Sequence, residues 1–144
     1  MGIPRFEALT VPAPEFRPVR RKATGKLTEV SPWINANVRE HRMSVVKKTA
    51  AWRALAAEMA AGIPPFTGPV RIVARIVKSR GGIYDPNNLN PTTKAIVDGL
   101  VEAGLLPADD YHHVIGPDHR HGGKGRPEVR LEITALDDES SLTA

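Results

Sequence analysis

Apolar residues recur along this chain at two spacings, one typical of helices and one typical of strands. The first helical stretch repeats apolar residues every three or four positions, at Val45, Trp52, Leu55, Ala56 and Met59. Ser44 is the candidate N-cap of this helix, and Gly62, with two prolines close behind it, is its stop signal. Trp52 is interpreted as a core residue rather than a base-stacking one.

A second helix is predicted from Pro91 to Glu102. Asn90 is expected to be its N-cap, because asparagine often holds that position and proline is favoured at the first helical residue. Gly104 closes the helix. Its apolar stripe consists of Ile96, Val97, Leu100 and Val101.

Three further stretches alternate or combine apolar residues as strands do. Phe6–Val11 is predicted as an edge strand within a proline-rich region, Val70–Lys78 as a central strand with at least one covered face, and Glu128–Leu136 as the last strand. Two helices with strands that do not alternate strictly with them predict an α+β fold. We expect a small mixed or antiparallel sheet packed against two main helices in a single domain.

Length and composition restrict the class of protein. The chain has 144 residues and no cysteine, which suits one domain and excludes disulfides and thiolate metal sites. No apolar run approaches the roughly 20 residues that span a bilayer, and residues 1–6 lack a signal-peptide core. A cytoplasmic protein without a membrane partner is expected.

Charge divides the chain into three segments. Residues 1–24 are predicted to be an extended basic segment, residues 25–136 the folded domain, and residues 137–144 an acidic flexible tail. The net charge is +4, and the basic residues concentrate in the front of the chain. This distribution suits a phosphate-bearing partner.

The candidate chemistry lies between Asp85 and Asp110. Asp85 and Asn87 are two positions apart, so their side chains would project to one side of an extended chain. The second helix turns the chain back, which allows Asp109 or Asp110 to approach the same place. Oxygen ligands from two loops favour a hard cation such as Mg²⁺. The alternative is a turn with a helix cap, followed by ordinary solvated aspartates.

Lys94 falls in the first turn of the second predicted helix, where the helix dipole disfavours a cation by about 0.3–1 kcal/mol. A lysine at this position is easier to understand if it faces an anion, such as carboxylates that hold a metal or a substrate phosphate. The alternative is a solvated lysine paired with Asp98 four residues on.

These residues together carry a family resemblance. Asp85-Pro86-Asn87-Asn88-Leu89, then Lys94-Ala95-Ile96-Val97-Asp98-Gly99-Leu100, then Ala103-Gly104 and Asp109-Asp110, resemble the signature of the RusA family of Holliday-junction resolvases, which are common in prophages. The resemblance covers roughly residues 70–136, with a vaguer match at 35–53. It makes residues 25–136 a RusA-like endonuclease domain.

The resemblance implies a homodimeric, Mg²⁺-dependent endonuclease (Mn²⁺ could substitute) that nicks strands of like polarity at a four-way DNA junction. By this match Asp85 and Asp110 are metal-binding carboxylates, Lys94 is the lysine required for cleavage, and Asp98 is structural. The residues assigned to the DNA backbone are Arg20, Arg21, Lys22, Lys47, Lys48 and Arg80.

The chain departs from the family pattern in two ways. Asn87 stands where the family has a second aspartate; its amide oxygen can ligate Mg²⁺ but brings no charge. Extra residues, 90–93, separate Leu89 from Lys94. A non-catalytic protein that binds branched DNA through the same fold is therefore the alternative function.

A run of histidines leaves other interpretations open. His112, His113, His119 and His121 could form a zinc site or the start of an HNH nuclease, although no asparagine occurs after Asn90. They are interpreted mainly as solvated loop residues or DNA-backbone contacts, with His113 or His119 near the metal as a further option. A plain structural or interaction protein would require the whole resemblance to be chance.

Overall fold

One mixed sheet with two helices on one face forms the main body of the protein in this computed structural model, which describes residues 2–136. Four strands line up in the order β1 (Phe6–Pro12), β6 (Glu128–Ala135), β4 (Val70–Lys78), β5 (Val114–Lys124). β1, β6 and β4 pair antiparallel, whereas β4 and β5 are parallel. The predicted α+β class is confirmed. The acidic tail predicted over 137–144 lies outside the described residues.

The predicted strands were largely right. β1 is an edge strand, and β4 lies between two neighbours with alternate side chains fully buried. The third predicted strand matches β6. What the sequence did not predict is β5, an 11-residue strand in a stretch that was interpreted as a histidine-bearing loop.

A small hairpin accompanies the main sheet. Its strands are β2 (Val19–Arg20) and β3 (Leu27–Thr28), joined by a turn in which Gly25 adopts a φ of 67°. The predicted boundary between residues 24 and 25 falls inside this turn. The front of the chain is therefore extended only up to β2 and then folds back on itself.

The first helix, α1, spans Arg42–Ala60 and begins two residues before the predicted cap. Nδ1 of His41 accepts a hydrogen bond from the backbone N–H of Met43 at 3.1 Å, so His41 is the N-cap. Ser44 lies inside the first turn, where its hydroxyl donates to Glu40 at 2.6 Å. The prediction that Ser44 is the N-cap is wrong, because the imidazole of His41 caps the helix and Ser44 lies inside it.

The second helix, α2, spans Asn90–Glu102 and follows directly from a 3₁₀ helix, Pro86–Leu89. Asn90 is helical rather than a cap, and no side chain among residues 2–136 caps α2. The capping side chain is instead that of Asp85, which precedes the 3₁₀ helix. Gly104, with a φ of 83°, follows the helix as predicted.

Both helices pack on the same face of the sheet. Fully buried side chains on α1, α2 and the sheet, including Trp52, Ile96, Ile72 and Leu131, form one core. The Trp52 indole donates to the Pro32 carbonyl at 2.7 Å, so this residue is a core residue as predicted. Within residues 2–136, no helix has the length and apolar character needed to span a membrane.

Candidate active site at the start of the second helix

The turn that carries Asp85 and Asn87 is a tight cap, not extended chain. Oδ1 of Asp85 accepts a hydrogen bond from the backbone N–H of Asn87 at 2.9 Å, which starts the 3₁₀ helix. Pro86 fits the first position of this helix because its fixed φ is already helical. Asp85 has extended backbone, but Asn87 lies in the 3₁₀ helix, so the prediction that both project from one extended stretch is wrong. The alternative interpretation, a turn with a helix cap, describes this segment, and both residues are exposed.

Two buried threonines fix the start of α2. Thr92 accepts from the backbone N–H of Ile34 at 2.9 Å and donates to the Ile34 carbonyl at 3.0 Å. Thr93 donates to the Asn90 carbonyl at 3.2 Å and is also in contact with a histidine of β5. The extra residues that separate this chain from the family pattern thus dock α2 against the segment before α1.

Lys94 faces carboxylates, as its position in the helix predicted. Its ammonium group donates to Asp98 at 2.8 Å and also to Asp109, which comes from the loop after α2. The hydrogen bonds to Asp109 and Asp98 raise the pKa of Lys94, and Lys94 in turn lowers the pKa of Asp109. The pairing with Asp98 is the alternative interpretation given from the sequence, whereas the contact with Asp109 was not predicted; through Asp109, Lys94 holds the loop against the helix.

The side chain of Asp110 contacts the two histidines that follow it in the loop. Its Oδ1 accepts from the backbone N–H of His112 at 3.0 Å and lies 2.6 Å from Nδ1 of His113. The contact with His113 is the main cause that lowers the pKa of Asp110. Of the two neighbouring aspartates, Asp109 is the one that reaches Lys94.

His119, on β5, was predicted from the sequence only as one of two histidines that could lie near the metal. Its Nε2 lies 2.7 Å from the Thr93 hydroxyl, which ties the middle of β5 to the first turn of α2. Burial lowers the pKa of His119, while the negative charges of Asp118 and Asp85 act in the opposite direction. No alternation of apolar and polar residues marks the stretch 115–124 as a strand, so the sequence carried no signal for the position of His119.

A pocket of about 530 Å³ opens between α2 and β5. It is lined by Asn90, Pro91, Thr93, Lys94, Val97, Asp109, Val114, Gly116, Pro117 and His119. Lys94 is thus the one predicted catalytic residue that lines it. Asp85, Asn87 and Asp110 lie outside its lining, although Asp85 is near enough to His119 to affect its charge.

Tyr84 and His121 form a second contact beside this pocket. The Tyr84 hydroxyl lies 2.7 Å from Nδ1 of His121, and the Lys78 ammonium lies 4.4 Å from the centre of the Tyr84 ring. Burial raises the pKa of Tyr84, so the phenol stays protonated. This contact joins the end of β4 to β5 just before Asp85.

The fit of the site to a metal ion can be judged from its donor atoms. Within residues 2–136, no three histidine, aspartate or glutamate side chains are grouped closely enough to hold a metal by themselves. Mg²⁺ commonly binds through one or two carboxylates and completes its shell with waters and substrate phosphates. The exposed carboxylate of Asp85, with one oxygen outside the cap, and the neighbouring His119 fit such an incomplete site.

The residues assigned to DNA separate into two groups. Arg21, Lys22, Lys47 and Arg80 are exposed, and so is Arg20, which donates to the Gly25 carbonyl at 2.6 Å. Lys48, by contrast, is 4% exposed, and its ammonium is paired with Glu40. Lys48 must be removed from the predicted DNA surface, because its charge is neutralised inside the protein.

No protein-family model matches this chain, and no curated protein matches it either. The resemblance to RusA resolvases therefore rests on the residues of the motif itself.

Proposed function

We propose that this protein is a metal-dependent endodeoxyribonuclease that resolves Holliday junctions by paired phosphodiester hydrolysis. The observation that carries the proposal is the position of Lys94, which is held by Asp98 and Asp109 in an open pocket beside His119. Phosphodiester hydrolysis needs an activated water and neutralisation of charge on the phosphate oxygens, and the Lys94 ammonium could supply the second of these in an open pocket. The protein would act in the cytoplasm as a homodimer on branched DNA.

Each residue of the site has a proposed role. Asp85 and Asp110, with the Asn87 amide oxygen, would hold Mg²⁺ or Mn²⁺. When bound, this ion would supply an activated water and neutralise charge that develops on the phosphate oxygens. Lys94 is 62% exposed at its side chain, so its ammonium can turn from a carboxylate to the scissile phosphate. The exposed arginines and lysines at the front of the chain would contact the DNA backbone.

A second candidate function is binding of branched DNA without cleavage. Two observations favour it: Asn87 brings no charge, and Asp110 already interacts with His113. In either function, affinity for DNA should fall steeply with salt, because contacts to phosphate release counterions.

The test is a Mg²⁺ and Mn²⁺ titration of cleavage on a synthetic four-way junction, with duplex of equal length as substrate control. Asp85→Asn should abolish cleavage and leave junction binding intact, because it removes one charge from the cation site. Asn87→Asp should lower the metal concentration needed for half-maximal cleavage, or restore activity to an inactive wild type. Light scattering of the wild type checks the homodimer.

Asp118→Asn is the matched control. Asp118 is also exposed, but it lies on the opposite face of β5 from His119 and pairs with Arg120 at 2.9 Å. This variant should cleave as the wild type does. Cleavage that persists unchanged in Asp85→Asn would refute the assigned metal site. Binding without cleavage in wild type and Asn87→Asp alike would favour the second function.

A further inference from the structure

We propose that Nδ1 of His119 is a metal ligand of this site, beside the Asp85 carboxylate, and that the site therefore prefers Mn²⁺ to Mg²⁺. The inference builds on the proposed function, because it adds a ligand to the metal site assumed there. It decides between the two histidines, His113 and His119, that the sequence left as options near the metal.

Hydrogen bonding fixes which nitrogen of His119 is available. The Thr93 hydroxyl donates its single proton to the Asn90 carbonyl, so it can only accept at its contact with His119. In this arrangement Nε2 of His119 carries the ring proton and donates it to Thr93 at 2.7 Å. Nδ1 keeps its lone pair, and within residues 2–136 it forms no hydrogen bond.

A histidine held in this way has the arrangement of a metal ligand. Histidines that bind metals generally donate their other ring N–H to a fixed acceptor, which sets the tautomer and the orientation of the ring. Thr93 is 1% exposed and lies in the first turn of α2, so this acceptor cannot move away. His119 is also partly buried and lines the pocket between α2 and β5, so a metal ion there would be reached by substrate.

The second ligand is available nearby. β5 packs against the 3₁₀ helix that Asp85 caps, and the cap uses one of the two carboxylate oxygens of Asp85. The family pattern has a charged second aspartate where this chain has Asn87. A histidine from β5 would restore a second strong ligand, but nitrogen suits transition metals better than Mg²⁺, which prefers oxygen. The expected preference for Mn²⁺ follows from this exchange.

The test uses the full chain and Mn²⁺ alone, without DNA. Pulsed electron paramagnetic resonance of bound Mn²⁺ should show the nitrogen coupling of a directly bound imidazole. His119→Gln should remove this coupling and weaken Mn²⁺ binding by more than about tenfold. The affinity of His119→Gln for Mg²⁺ should decrease less than its affinity for Mn²⁺, so the ratio of Mn²⁺ affinity to Mg²⁺ affinity should fall.

Two further variants make the result specific. His121→Gln is the matched control, because His121 lies two residues along on the same face of β5 and contacts Tyr84 instead. His121→Gln should keep both the nitrogen coupling and the affinity for Mn²⁺. Thr93→Val keeps His119 but removes its acceptor; it should keep the coupling and weaken Mn²⁺ binding by about 10–100-fold. This variant remains informative if His119→Gln fails to fold.

The outcomes separate this inference from the proposed function. Wild-type protein that binds Mn²⁺ without imidazole coupling, or whose coupling survives in His119→Gln and disappears in His121→Gln, overturns the assignment of His119 even if the protein cleaves junctions. Coupling that depends on His119 in a protein that cleaves no DNA supports the metal ligand and contradicts the nuclease.

Discussion

Gly99 allows α1 and α2 to pack in direct backbone contact, and Gly99→Ala should destabilise the protein. A Cβ atom at this position would lie 2.9 Å from the Cβ of Ala56 and still closer to the carbonyl oxygen of Arg53. Real Cβ atoms essentially never come within 3.0 Å of another heavy atom. The carbonyl belongs to the backbone of α1, so the overlap can be relieved only if one helix moves.

Two opposing effects set the size of the loss. Alanine in place of glycine favours a helix by about 1 kcal/mol. Insertion of a methyl group into a well-packed core costs about 1–3 kcal/mol, and a clash with backbone falls in the upper half of that range. The net loss in free energy of unfolding should be about 1–2 kcal/mol. At this chain length, each kcal/mol lowers the melting temperature by roughly 2–4 °C or slightly more.

Urea denaturation of both proteins measures the effect. Gly99→Ala should lower the midpoint without a change in the slope, because one methyl group barely changes the surface exposed on unfolding. Gly81→Ala is the control, since a Cβ at Gly81 meets nothing within 4 Å and its φ is not positive. This control should be neutral or slightly stabilising. Gly99→Ala as stable as the wild type, or more stable, would refute the close packing of the two helices.

Two further predictions concern buried charge. The free energy of unfolding should decrease as the pH falls below 6.5, the usual pKa of histidine. Burial lowers the pKa of His119 in the folded state, so the unfolded chain binds a proton at a higher pH than the folded protein does. Urea titrations between pH 5 and 8 should show a smaller dependence in His119→Gln; an equal dependence contradicts the prediction. Lys48→Met should lower stability by about 3 kcal/mol, since it leaves the partly buried carboxylate of Glu40 with Ser44 as its remaining side-chain partner within residues 2–136. Lys48→Met/Glu40→Gln should recover most of this loss, and a Lys48→Met variant as stable as the wild type would contradict the expected cost of breaking the pair.

The parts of the fold that follow from local periodicity could be predicted from the sequence. α2, β4 and β6 each bury a regular apolar pattern, and their predicted bounds differ from the observed ones by at most one residue. The caps were harder, because several polar residues compete for each helix start. His41 precedes Ser44 at α1, and Asp85 moves the cap of α2 to the 3₁₀ helix before it.

β5 could not be predicted from its residues, because glycine, proline and histidine do not favour strands. Its backbone is held by parallel pairing with β4 along most of the length of that strand, which no local pattern reveals. The same pairing brings His119 to α2. For this reason the sequence predicted the role of Lys94 in facing carboxylates but assigned His119 only as one option among several histidines.

The pairing of β1 with β6 has a consequence for how the chain folds. Phe6 is paired with Thr134, so the edge of the sheet joins the earliest strand to the latest one. β4 likewise receives both of its neighbours from later in the sequence. During synthesis from the N-terminus, β1 has no partner in the sheet until nearly all of the described chain has been made. Because contacts so distant in sequence close large loops, the sheet should form late and slowly relative to the two helices.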